Sequence, residues 1–206
     1  MKKYFMMAVM AVAALTASAQ SGEFHITPHV NLGYAYLSNV IDEFDELRHN
    51  IVGGFGADAE YMLTDEFGIS GGLDLNYMES GKSTYKDKEG EAESYNKYMW
   101  LNVPILAQYH IGNFALKAGI QPVINLSADE HTEISGSGIN INADDSFSDN
   151  VKTVGLAIPV GVSYTFDVPV TVDLRCAIPV TGFSKDLDLS DDGMLTPITV
   201  SVGYRF

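Results

Sequence analysis

The chain alternates. From Phe24 the apolar positions Phe24, Ile26, Val30, Leu32, Tyr34 and Tyr36 interleave with His25, Thr27, His29, Asn31, Gly33 and Ala35. The pattern recurs down the chain. Ile51, Phe55, Ala57, Ala59, Tyr61 and Leu63 share one parity, then Phe67, Ile69, Leu73, Leu75 and Tyr77. Met99, Leu101, Val103, Ile105, Ala107 and Tyr109 follow, and then Phe114, Leu116, Ala118, Ile120, Ile124 and Leu126. The last three runs start at Val154, Val170 and Ile198, and the final one ends on Tyr204 and Phe206. Period two is the mark of a strand with one apolar and one polar face, and helical spacing fits these runs less well.

The spacing predicts eight strands with connections of alternating length. Residues 64–66, 111–113 and 167–169 have the length of hairpin turns. Residues 38–49, 80–97, 127–152 and 181–195 read as long polar links. Strands of about ten residues at roughly 3.3 Å each, tilted about 45°, span the apolar band of an outer membrane. The expected fold is all-β, an eight-stranded antiparallel up-and-down transmembrane β-barrel. Pro28, Pro104, Pro122, Pro159, Pro179 and Pro197 fall within the strands. Proline cannot donate to a ladder, so bulges are expected there.

Aromatic placement decides which face meets lipid. Phe24, Tyr61, Phe67, Tyr109, Phe114, Tyr164, Phe166, Tyr204 and Phe206 lie at strand ends beside the short turns or at a terminus. Tyr34, Tyr36 and Tyr77 lie toward the other rim. Rings with apolar bodies and wet tips favour a lipid–water boundary. A soluble, lipocalin-like carrier with its apolar face inward is the disfavoured alternative.

Composition narrows the setting. Lys2 and Lys3, an apolar run from Phe5 to Leu15, and Ala17-Ser18-Ala19 make residues 1–19 an expected signal peptide, with residues 20–206 as the barrel domain. The formal charge of −15 argues against a nucleic-acid partner. Cys176 is the one cysteine, so an internal disulfide is impossible. The expected destination is the outer membrane of a Gram-negative bacterium, among lipid and lipopolysaccharide.

The terminal Tyr204-Arg205-Phe206 is similar to the C-terminal signature of bacterial outer-membrane barrels, and Tyr204 and Phe206 are its assembly signal. That resemblance implies the barrel-assembly machinery as a partner. Residues 98–110, YMWLNVPILAQYH, and 114–119, FALKAG, resemble the central strands of the PorT-like outer-membrane β-barrel family. The PorT-like resemblance implies an accessory part in protein export or surface assembly.

Candidate chemistry lies on the polar parity. Asp58, Glu60, Asp74 and Asp173 face Lys117, Arg175 and Arg205 across the expected lumen. An eight-stranded lumen is just wide enough for side chains to fill, so these charges are expected to pair structurally. A narrow ion channel is the alternative. His25 and His29 are too far apart along a strand to share a zinc ion unaided. Trp100 points inward as filling. Asp188, Ser190 and Asp192, with Gly193, resemble the first half of a calcium loop, but Thr199 stands where the bidentate glutamate belongs. Weak calcium binding is the most they suggest. No nucleophile elbow, phosphate loop or metalloprotease helix occurs. The expectation is a non-enzymatic barrel, with no cofactor, acting through its surface loops in envelope integrity or binding of a protein partner. Within the link at 127–152, Glu133, Ile134, Ile139 and Ile141 flank a possible hairpin tip, so a ribbon and an unstructured acidic loop are both open readings.

Overall fold

The computed structural model describes residues 23–38, 50–87, 90–136, 139–146, 148, 151–182 and 194–206. The expected signal peptide and the candidate calcium residues Asp188, Ser190 and Asp192 lie outside these.

Ten strands form one antiparallel sheet: β1 (Phe24–Ser38), β2 (Ile51–Met62), β3 (Phe67–Asp87), β4 (Gly90–Asn102), β5 (Ile105–Ile111), β6 (Phe114–Gly136), β7 (Ile139–Ser146), β8 (Val154–Thr165), β9 (Val170–Pro179) and β10 (Met194–Tyr204). The sheet closes because β1 pairs β10 from His29↔Gly203 to Ser38↔Met194. Closure removes the open edges that lipid could not satisfy. Ten strands make eight crossings. β4 and β5 are halves of one crossing, interrupted at Val103 and Pro104, and β7 pairs only β6.

Strand parity places the side chains as the alternation predicts. Val30 is 63% exposed and Leu174 46%, whereas the next residue, Arg175, is 7% exposed. Ile26 departs from the pattern, being buried although it shares the outward parity. There the pairing of β1 with the chain's end continues in register, the Phe206 N–H donating to the Ile26 carbonyl at 2.9 Å. The rim at the short turns is an aromatic belt of neighbouring ring pairs. Phe67–Tyr109 lie at 4.7 Å, Phe114–Tyr164 at 4.8 Å, Tyr164–Phe166 at 4.9 Å and Tyr204–Phe206 at 4.7 Å. One of those turns is Gly112-Asn113, where Gly112 takes φ +58° in the left-handed region.

Prolines sit at gaps in the ladder rather than at bulges. Pro104 lies between strands, and Pro28 pairs Ala57 on β2 while the β10 ladder starts one residue later. Pro159 pairs Ala177 but has no partner in the β6 register, and Pro197 pairs Ala35 while the β9 register begins at Ile198. Pro122 pairs Leu156 only, and Pro179 ends its strand. Each proline's missing donor thus falls where a neighbour is lacking on one side. The two register shifts lie elsewhere, at Ser80/Ser83 and Met99/Trp100.

Two expected links are strands. Residues 80–97, read as a polar loop, continue β3 and β4 as a hairpin paired out to Asp87↔Gly90. Within 127–152, β6 runs on to Gly136 and pairs β7 from Asp129↔Ser146 to Gly136↔Ile139. β4 and β6 stay paired as far as Glu91↔Ser135. Beyond the barrel, β3, β4, β6 and β7 therefore form a four-stranded blade. In β3 and β4 backbone pairing outlasts the apolar alternation, which alone reads that extension as loop, whereas the β6–β7 hairpin is the ribbon that Glu133, Ile134, Ile139 and Ile141 left open.

Candidate functional site: the plugged lumen and the blade

The lumen is layered. Toward the long-link end Ala35, Val52, Met78 and Trp100 form a buried apolar cluster, with Tyr98, Val123 and Leu195 packed against it. Below it stand the charged residues the alternation assigned to the interior. Arg175 is their centre. Its Nη2 lies 3.0 Å from Asp58 Oδ2, Nη1 3.4 Å from Asp74 Oδ2, and Nε 3.4 Å from Asp173 Oδ1. Lys117 Nζ is 2.7 Å from Asp173 Oδ2, and Arg205 Nη2 is 3.1 Å from Glu60 Oε2.

Cross-strand glycines make room for this cluster. Asp74 stands opposite Gly56, Asp58 opposite Gly72, and Arg175 opposite Gly161. A Cβ at Gly56 would collide with Asp74 Oδ1, and one at Gly72 with Asp58 Oδ1. With no side chain opposite, each carboxylate leans across the barrel toward Arg175.

Two histidines complete the network, and pattern reading missed both roles. His29 Nε2 lies 2.7 Å from Asp74 Oδ1, and His110 Nε2 2.7 Å from Glu60 Oε1. The available signal was parity, since His110 shares the inward parity of Gln108. His25 stays apart, with Nδ1 3.2 Å from the Phe206 carbonyl oxygen. Among the described residues no group of three His, Cys, Asp or Glu side chains could hold a metal ion.

Among the described residues the lumen holds small cavities of about 60, 20 and 30 Å³, from the long-link end down. Each is room for a few waters. Arg175 and His29 line both lower cavities and so stand between them.

An apolar exterior, an aromatic belt and an ion-paired interior define a transmembrane barrel. No helix among the described residues is long and apolar enough to cross a membrane, and a closed barrel crosses with strands instead. Residues 5–206 match the model of the outer membrane protein beta-barrel domain, and the chain belongs to that family. No curated protein matches the chain. Among solved structures it is similar to Ail, the attachment invasion locus protein of Yersinia pestis, at 13% identity and TM-score 0.48, covering 89% of this chain and 99% of that one. Neisserial surface protein A is similar at 13% identity and TM-score 0.44, covering 91% and 100%. The outer membrane enzyme PagL is similar at 10% identity and TM-score 0.38, covering 87% and 98%.

Tyr204 and Phe206 are exposed on the barrel exterior at the short-turn rim. At the other end the blade's outer strands have one described neighbour each. Beyond Glu79, β3 pairs β4 alone, and β7 pairs β6 alone.

Proposed function

We propose that this barrel is a non-enzymatic membrane anchor whose extracellular blade binds protein. The observation that carries this reading is the four-stranded extension of β3, β4, β6 and β7. A strand edge offers unpaired N–H and C=O groups, which an incoming extended chain can meet. The plugged lumen supports the same reading. The small cavities, with Arg175 and His29 between two of them, leave little room for ion flow. The lumen charges act structurally here, and the interaction lies outside the membrane. Signal-peptide cleavage after Ala19 and recognition of Tyr204 and Phe206 by the barrel-assembly machinery are parts of this proposal. The narrower PorT-like resemblance rests on residues 98–110 and 114–119, and would make the partner a component of export or surface assembly.

Replacing residues 133–142 with a short Gly-Ser link tests the reading. The expected result is a barrel that keeps heat-modifiable gel migration while surface cross-linking no longer captures its partner. Capture that persists at the original level would move the binding surface to another link or to the short turns.

A further inference from the structure

The two outer strands of the blade differ in charge. Residues 80–87 of β3 include Lys82 and Lys86, with Asp87 the one acid. β7, residues 139–146, carries Asp144 and Asp145 and no base. One edge of the blade is thus basic and the other acidic. Each is eight residues long, counting 80 to 87 and 139 to 146.

Strand direction adds a second constraint. From the short turns, β3 and β6 run outward through the barrel, while β4 and β7 run back toward it. Insertion in a membrane gives every copy the same orientation. Two β7 strands from neighbouring copies would then run parallel and set Asp144 and Asp145 against their own kind. Two β3 strands would also run parallel, with lysine against lysine. β7 of one copy beside β3 of the next is antiparallel and joins opposite charges. Antiparallel pairing is slightly the more stable per residue, and like charges directly opposite are destabilising.

The blade's own register links the two edges. The shift between Ser80 and Ser83 leaves Gly81 and Lys82 opposite Tyr95; Tyr95 pairs His131, and His131 pairs Asp144. Lys82 and Asp144 therefore end the same cross-strand row. A sheet continued without stagger would bring Lys82 of one copy beside Asp144 of the next, and strand tilt would add stagger. The spacing is also compatible. Four strands about 4.8 Å apart, tilted about 40°, advance about 25 Å in the membrane plane. Eight such strands close a backbone cylinder about 16 Å across, to which a side-chain layer of about 5 Å on each side adds about 10 Å.

We propose that the partner of the blade is a second copy of this chain, joined head to tail through β7 of one barrel and the outer part of β3 of the next. This rests on the blade being a docking surface and names its occupant. Such an interface is heterologous, so copies extend into a row or close into a ring, according to the angle between neighbours.

Cysteine cross-linking between two tagged full-length populations in lipid vesicles tests it. Both carry Cys176→Ser, which removes the native thiol. One carries Ala143→Cys in β7, and the other a single cysteine scanned over positions 80, 81 and 83–85 of β3. Heat-modifiable migration first confirms that each variant is a barrel. The expected result is β7-to-β3 cross-linking that peaks at one or two scan positions, at least tenfold above β7-to-β7 and β3-to-β3. Adding Lys82→Glu and Lys86→Glu to the β3 population should abolish it, and Asp144→Lys with Asp145→Lys in the other population should restore it. Homotypic cross-links of equal yield, or none of any kind, would overturn the head-to-tail assembly. Hydrogen exchange at low protein density separates that failure from failure of the docking reading. Slow exchange across β6 and β7 without cross-links keeps the blade and discards self-pairing, while exchange as fast as in an unfolded peptide discards both.

Discussion

Replacing Arg175 with methionine should destabilise the barrel by about 3–5 kcal/mol, the cost of breaking a buried ion pair from one side. The structure says which group bears most of that cost. Asp74 keeps His29 at 2.7 Å and Asp173 keeps Lys117 at 2.7 Å, so both retain a partner. Asp58, 9% exposed, has Arg175 as its cationic contact at 3.0 Å. Methionine would fill the volume and leave the Asp58 carboxylate buried and uncompensated. Adding Asp58→Asn to Arg175→Met should therefore recover a large part of the loss, with a coupling of about 0.5–3 kcal/mol between the two sites. Reversible urea unfolding in lipid vesicles, followed by Trp100 fluorescence, measures all four corners of the cycle. An Arg175→Met cost within about 0.5 kcal/mol of zero, the range of surface substitutions, would refute the structural role of the network. Strict additivity of the two changes would refute the assignment of the cost to Asp58.

Leu174→Arg, which places a charge in lipid, should cost about 2–4 kcal/mol if it lies near the midplane. Ala177→Arg, on the lumen side, should be milder electrostatically; equal effects or the reverse order in vesicle refolding would refute the facing. Gly72→Ala should push Asp58 off Arg175 and destabilise the barrel, and adding Asp58→Asn should remove much of that loss; an unchanged urea midpoint for Gly72→Ala would refute the close approach. Deleting Phe206 should lower the amount of assembled barrel in cells more than refolding yield in detergent, because its burial is worth a few kcal/mol at most. Equal losses in the two assays would reduce it to ordinary packing.

The barrel was legible in the chain because lipid and lumen impose opposite rules on alternate residues. Leu174 and Arg175 are neighbours in sequence and opposites in environment, which period two detects directly. The β6–β7 half of the blade was legible as one of two readings, and the β3–β4 half was not. Lys82, Ser83 and Thr84 carry no apolar alternation although β3 continues through them. The same limit hid His110 and His29 as ligands of carboxylates. Parity says that a side chain points inward, but which partner it meets depends on how the barrel closes. The glycines opposite Asp58, Asp74 and Arg175 show this best, since Gly56 and Gly72 look like weak strand formers until the cross-strand register is known.

Register also bears on why the lumen is charged at all. A buried ion pair seldom outperforms well-packed apolar groups in stability, so the network needs another physical reason. A slip of one residue in any strand moves its whole side-chain set to the other face. For β9 that slip would send Asp173 and Arg175 into lipid and draw Leu174 into the lumen. Arginine at the midplane costs about 2–4 kcal/mol, and Asp58 and Asp74 would lose their shared partner as well. An interior of serine, alanine and glycine would penalise the same slip far less. The charges therefore act as an error term on parity, while the glycines across from them let correct pairing bring the charges together. On this argument, neutralising Arg175 and Asp58 together should recover stability in vesicles yet lower the fraction of chains that refold correctly. That fraction is read as the share that gains heat-modifiable migration, and an unchanged share would show that alternation of the apolar face is enough.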